Sequence, residues 1–128
     1  MRLRDWTVLV VEDEADSMEL VQSLLEHHGI KTLLANTAEE ALDQLETAIP
    51  TLIIVDLALP GMDGWQLLQE IQQDARLERV PRVAITAYHN AEVANQAIEA
   101  GFDAYFPKPL EATSFVRELE TIVEECIG

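Results

Sequence analysis

The stretch Leu52-Ile53-Ile54-Val55-Asp56-Leu57-Ala58-Leu59-Pro60-Gly61-Met62-Asp63-Gly64 limits most sharply what this chain can fold into. Its first four residues are apolar and three of them are β-branched, so the segment has no polar side to turn to water. It reads as a strand buried on both faces, as the inner strands of parallel sheets are. Pro60, Gly61 and Gly64 then mark a loop. The strand therefore carries one carboxylate, Asp56, to the rim of a sheet. A single acid there is often only the place where a strand meets water, so its meaning depends on what the rest of the chain brings to the same rim.

Val8-Leu9-Val10-Val11 is a second fully apolar run, followed at once by Glu12-Asp13-Glu14. From Asp16 to His28, Met18, Val21, Leu24 and Leu25 recur at helical spacing, and Gly29 is the stop. Ile30 to Ala35 reads as a second strand. Thr37-Ala38-Glu39-Glu40 reads as a capping box opening a helix with Ala38, Ala41, Leu42 and Leu45 on its inner face. Trp65, Leu67, Leu68 and Ile71 mark the helix after the Asp56 strand. Pro81 precedes a fourth strand, Arg82 to Ile85, that ends in Thr86-Ala87-Tyr88. Ala91 to Ala100 forms a helix stopped by Gly101, Asp103 to Phe106 a fifth strand, and about Glu111 to Ile127 a last helix burying Phe115, Leu119, Ile122 and Cys126. Strands alternating with helices over 128 residues, without repeats or a linker, predict an α/β fold. We expect one domain, residues 1–128, with a doubly wound five-stranded parallel sheet and helices on both faces.

Composition narrows the function. With 24 acids against 8 bases the formal net charge is −16, which disfavours direct nucleic-acid binding, because that needs clustered Lys and Arg to displace counterions. No apolar run reaches the length of a membrane span, and no apolar core follows the early arginines as in a secretory signal, so a cytoplasmic location is expected. Cys126 has no partner for an internal disulfide and reads as a packing residue.

In open parallel sheets, ligands bind beyond the carboxyl ends of the strands. Glu12 and Asp13 stand there on the first strand, Asp56 on the third, Thr86 on the fourth and Lys108 beyond the fifth. Three converging carboxylates repel one another, which raises pKa values or recruits a hard divalent cation such as Mg²⁺. Beside such a cation a carboxylate is a competent phosphoryl acceptor, with the Lys108 ammonium and the Thr86 hydroxyl able to bind phosphoryl oxygens. Asp56 is the nucleophile of that chemistry.

At these residues the chain resembles a two-component response-regulator receiver domain, of the single-domain, chemotaxis-regulator-like kind, over essentially its whole length. The resemblance rests on Val11-Glu12-Asp13-Glu14, Val55 through Gly64, Ile85-Thr86-Ala87 and Tyr105-Phe106-Pro107-Lys108-Pro109, in that order and spacing. It implies a flavodoxin-like strand order 2-1-3-4-5 and a phosphoprotein of two-component, phosphorelay signal transduction. Asp56 would take a phosphoryl group from a histidine kinase or histidine phosphotransfer protein, forming an aspartyl phosphate. Asp13 and Asp56 would ligate Mg²⁺ directly, Glu12 through water, and Ala58 through its backbone carbonyl. Thr86 and Lys108 would bind the phosphoryl group, and Tyr105 would turn inward in the active state, switching the face made by the fourth helix, fifth strand and fifth helix for a downstream protein target. Positions 58 and 88 would tune the phosphoryl lifetime. Ala58 holds no water and Tyr88 would cover its path, so slow self-dephosphorylation is expected. The Lys108-Pro109 bond is typically cis in that family. Glu12 departs from the Asp of many relatives by one methylene.

The resemblance describes a signalling phosphoacceptor rather than an enzyme, limited to self-phosphorylation from small donors and self-dephosphorylation. A haloacid-dehalogenase type phosphohydrolase would need a second Asp where Ala58 stands. A flavin carrier would need a hydroxyl- and glycine-rich loop where Glu12-Asp13-Glu14 stands. A phosphorylation-independent interaction module remains the alternative. His27, His28 and His89 show no metal spacing, and Trp6 and Trp65 read as packing residues. No effector domain is expected after Gly128, so output is expected through protein contact, as a free-standing regulator or a phosphate relay, with a piece of a larger regulator as the other expectation.

Overall fold

The computed structural model describes residues 2–87 and 90–127, the side chain of 127 excepted. Among these, ten regular elements alternate: β1 (Thr7–Val11), α1 (Ala15–His27), β2 (Lys31–Ala35), α2 (Ala38–Leu45), β3 (Leu52–Asp56), α3 (Gly64–Gln72), β4 (Arg82–Thr86), α4 (Ala91–Ala100), β5 (Ala104–Pro107) and α5 (Phe115–Ile127). All strand pairs are parallel, in the order β2-β1-β3-β4-β5. The expected strand order and helix placement are therefore both found.

The burial of β3 explains why the sheet has two covers. Ile53 and Val55 join Leu9, Val11 and Ala84 in one core with Ala38, Ala41 and Leu45 of α2, Leu67, Leu68 and Ile71 of α3, and Ala97 of α4. Leu52 and Ile54 point the other way, with Val8, Val10, Val83 and Ile85, against Met18, Val21 and Leu25 of α1 and Phe115, Val116, Leu119 and Val123 of α5. Alternation with period two thus divides each inner strand between two cores. Each fully buried Leu, Ile or Val contributes about 1.5–3 kcal/mol of transfer free energy.

Several boundaries differ from the sequence reading, each for a local reason. The Thr37 hydroxyl accepts from Glu40 N, but the Glu40 carboxylate accepts from Asn36 N at 2.9 Å, so Thr37 makes only half of the expected box. The reciprocal box lies at α3, between Asp63 and Gln66. Asp103 lies just before β5, where its backbone N–H donates to the Arg82 carbonyl at 2.8 Å and its carboxylate accepts from Arg82 N at 2.9 Å. The last helix starts at Phe115 rather than Glu111, with the Phe115 ring set edge-on against Phe106 at 5.1 Å. Its buried face is Phe115, Val116, Leu119 and Val123, while Ile122 and Cys126 are only half-buried. Ala75–Leu77 forms a short 3-10 helix where no element was expected. The two packing tryptophans behave as read: Trp6 is buried, and half-buried Trp65 lies edge-on to Phe102 at 6.1 Å.

Candidate functional site

The carboxyl ends of β1, β3 and β4 bring the acids and the threonine to one edge, because these strands are adjacent and in register. Val11 pairs with Val55, and Asp56 with Ile85, so Glu12, Asp56 and Thr86 follow directly at neighbouring strand ends. Glu12, Asp56 and Thr86 are all buried, while Asp13 is exposed. Carboxylate oxygens of Glu12, Asp13 and Asp56 lie within 4.8 Å of one another. Lys108 reaches the same point from beyond β5, tied by its backbone N–H to the Thr86 carbonyl at 2.9 Å, with a cis peptide bond to Pro109.

Lys108 Nζ bridges two of the acids. It donates to Glu12 Oε1 and to Asp56 Oδ2, the latter at 3.2 Å. The other Asp56 oxygen, Oδ1, accepts from the Ala58 N–H at 3.0 Å. Burial, reinforced by the neighbouring Asp56 carboxylate, raises the Glu12 carboxyl to about 7 although Lys108 opposes the shift. Burial pulls the Lys108 ammonium down, but Glu12 and Asp56 outweigh it and leave its pKa raised. Two buried carboxylates and one exposed carboxylate beside a single ammonium, with only oxygen donors, suit a hard divalent cation.

Gly64 explains how α3 can start so close to the acid. A Cβ there would lie 2.6 Å from the Asp56 carbonyl oxygen and 2.8 Å from Leu57 Cα, so only glycine lets the helix pack against the strand end. Tyr105 sits on β5 opposite Ala84, half-buried, with burial raising its phenol. The Ala58 side chain is exposed. Tyr88 and His89 fall outside the described residues.

Sequence reasoning missed three contacts: the Ala58 N–H on Asp56, the close approach at Gly64, and Ser17, whose hydroxyl oxygen accepts from Lys108 at 3.3 Å. Gly64 carried a usable signal, since a glycine at the first position of a helix that already has its cap points to close packing. The hydroxyl of Ser17 carried none.

The family model for the response regulator receiver domain matches residues 8–120. An uncharacterized 14.6 kDa protein in the sodA1 3' region of Leptolyngbya boryana is 35% identical over 115 residues, which cover 90% of this chain and 88% of that one. The response regulator Rre1 of Synechocystis sp. is 38% identical over 123 residues, 95% of this chain but 52% of Rre1, so the chain spans about half the length of that relative. Among solved structures, a CheY-like response regulator receiver domain protein from Methanospirillum hungatei superposes with a TM-score of 0.85 at 26% identity, covering 94% of this chain and 95% of that one. Among the described residues no helix is long and apolar enough to cross a membrane.

Proposed function

Because the chain belongs to the response-regulator receiver family, we propose that it accepts a phosphoryl group on Asp56 from the phosphohistidine of a kinase or phosphotransfer protein. The observation that carries this reading is the Lys108 ammonium set between Glu12 and Asp56 at the rim where Asp13 also lies. An Asp56 oxygen forms the new P–O bond while the P–N bond breaks. The imidazole nitrogen leaves with the electron pair, as neutral imidazole when its other nitrogen carries a proton. Asp13, Asp56 and the Ala58 carbonyl, with Glu12 through water, would hold Mg²⁺, which would supply the charge neutralisation that lets an anionic phosphoryl group approach three carboxylates.

Lys108 binds one phosphoryl oxygen, and the Thr86 hydroxyl binds another. Drawing Thr86 toward the phosphoryl group changes the space beside it on β4, and Tyr105 on β5 turns into that space. The face of α4, β5 and α5 then presents a different surface to a downstream protein. Next to the site, a cleft of about 400 Å³ between Leu20 and Val21 of α1 and Pro109 and Leu110 gives a donor protein an apolar foothold. The exposed methyl of Ala58 offers no hydrogen bond to a hydrolytic water, which favours a long-lived phosphoryl group.

The test is acetyl phosphate with Mg²⁺, followed by mass mapping. Asp56 alone becomes labelled, with an acid-stable and base-labile group, and Asp56→Asn abolishes both labelling and beryllofluoride binding. Label on another residue would refute the assignment, and absence of label would leave a constitutive interaction module.

A further inference from the structure

Lys108 is held by more than the two acids that flank it. A closed ring of hydrogen bonds runs from Lys108 to Glu12 Oε1, from the Glu14 backbone N–H to Glu12 Oε2 at 3.2 Å, from the Ser17 hydroxyl to Glu14 Oε1 at 3.1 Å, and from Lys108 Nζ to Ser17 Oγ at 3.3 Å. Asp56 Oδ2 receives the third Lys108 bond. An ammonium has three donors and no acceptor, so Glu12, Asp56 and Ser17 occupy all of them.

The direction of the ring follows from the same count. Lysine cannot accept, so the Ser17 proton is not spent on it and goes to Glu14, which turns a hydroxyl lone pair toward Lys108. Ser17 lies in the first turn of α1 and reaches the ammonium from that helix. Glu12 and Asp56 hold Nζ at the strand ends, and among the described residues Ser17 is its hydrogen-bond partner on α1. A four-carbon stem loses much rotamer freedom when its end is fixed, and here that loss is met before any phosphoryl group arrives.

We propose that Ser17 is a positioning residue for phosphoryl transfer, holding the Lys108 ammonium in place while its bond to Asp56 Oδ2 is exchanged for one to the incoming phosphoryl oxygen. The proposal rests on the phosphoacceptor reading of Asp56. Glu14 acts one step further back, by orienting the Ser17 hydroxyl. Neither residue is needed to hold the cation, so both act on the transfer step and not on metal affinity.

The experiment compares wild type, Ser17→Ala, Ser17→Thr and Glu14→Ala. It reads the limiting rate of Asp56 phosphorylation by acetyl phosphate at saturating Mg²⁺, the Mg²⁺ affinity by calorimetry, and the hydrogen-exchange rate of Lys108 Nζ by ¹⁵N NMR. Losing one hydrogen bond to a charged group should lower the limiting rate about fivefold or more in Ser17→Ala. Mg²⁺ affinity should stay unchanged and Nζ exchange should speed up. Ser17→Thr, which keeps the hydroxyl, should restore both, and Glu14→Ala should fall between. A wild-type rate in Ser17→Ala, or a Thr variant as slow as the Ala one, would overturn the role of Ser17 while leaving Asp56 as acceptor. An unlabelled wild type would remove the acceptor reading and this proposal together, and the two failures are thus distinguishable.

Discussion

Glu12 shows how one buried side chain responds to its position. Its carboxyl is pushed up to about 7 from an ordinary 4.5, so between these values the folded protein binds more protons than the unfolded chain. By linkage, this residue's contribution to stability is fullest below about pH 4.5 and declines as pH rises toward 7. Glu12→Gln removes the titration. In the metal-free protein, the stability of Glu12→Gln relative to wild type should therefore rise from pH 4.5 to pH 7 and level off above, as urea unfolding across that range would read. Excess Mg²⁺ should reverse the ranking, since the cation favours the ionised wild-type carboxylate. A flat difference would mean that Glu12 does not titrate in this window. Glu12, Asp13, Asp56, Thr86 and Lys108 were all legible as strand-end residues, because a strand-end position follows from the apolar run before it. Ser17 was not, because a hydroxyl in the first turn of a helix is ordinary and only the folded path of Lys108 gives it a partner.

At the scale of elements, β1 and β3 could be read because residues buried on both faces leave an unbroken apolar signature, and β4 carries a shorter one, Val83 to Ile85, between Arg82 and Thr86. Boundaries were harder where a side chain serves as the acceptor for a strand N–H, as the Asp103 carboxylate does for Arg82 N. α5 begins at Phe115, a buried residue whose ring meets Phe106 of β5. The junction of β3 and α3 is the element pair most exposed to mutation. Gly64→Ala places a methyl on backbone atoms of Asp56 and Leu57, and because both contacts are backbone, overpacking should cost about 1–3 kcal/mol. Urea unfolding measures that cost, and the same variant should be phosphorylated more slowly because the strand end carrying Asp56 must shift. Asp63→Ala, which removes the capping box of α3, should cost about 1 kcal/mol without moving Asp56. Equal losses of phosphorylation rate in the two variants would contradict the distinction between a shifted strand end and a frayed helix. If the switch reading holds, amide shifts on adding beryllofluoride should extend into α4, β5 and α5. Changes confined to α1 and α2 would refute it.

Across the whole molecule, charge sets a further expectation. A formal net charge of −16 on 128 residues concentrates like charge in the folded state, which costs stability that the expanded unfolded chain partly escapes. Salt screens this repulsion: the Debye length falls from about 10 Å at 0.1 M to about 3 Å at 1 M. NaCl should therefore raise the unfolding midpoint gradually, with no saturation at millimolar levels. Mg²⁺ should act in two ways, through the same screening and through binding at the acidic rim, where Glu12, Asp13 and Asp56 bring oxygens within 4.8 Å of one another. Binding to the folded state alone stabilises by RT ln(1 + [L]/Kd), about 2.7 kcal/mol at a hundredfold excess over Kd. At matched ionic strength, Tm in MgCl₂ should exceed Tm in NaCl by a saturable increment. Asp13→Asn removes the exposed charged oxygen of the three, so it should reduce that increment while leaving the NaCl dependence nearly unchanged. The two salts separate a property of the whole surface from a property of one rim. An equal rise in both salts for wild type would place no specific cation at Glu12, Asp13 and Asp56, and an increment that survives in Asp13→Asn would place it away from Asp13.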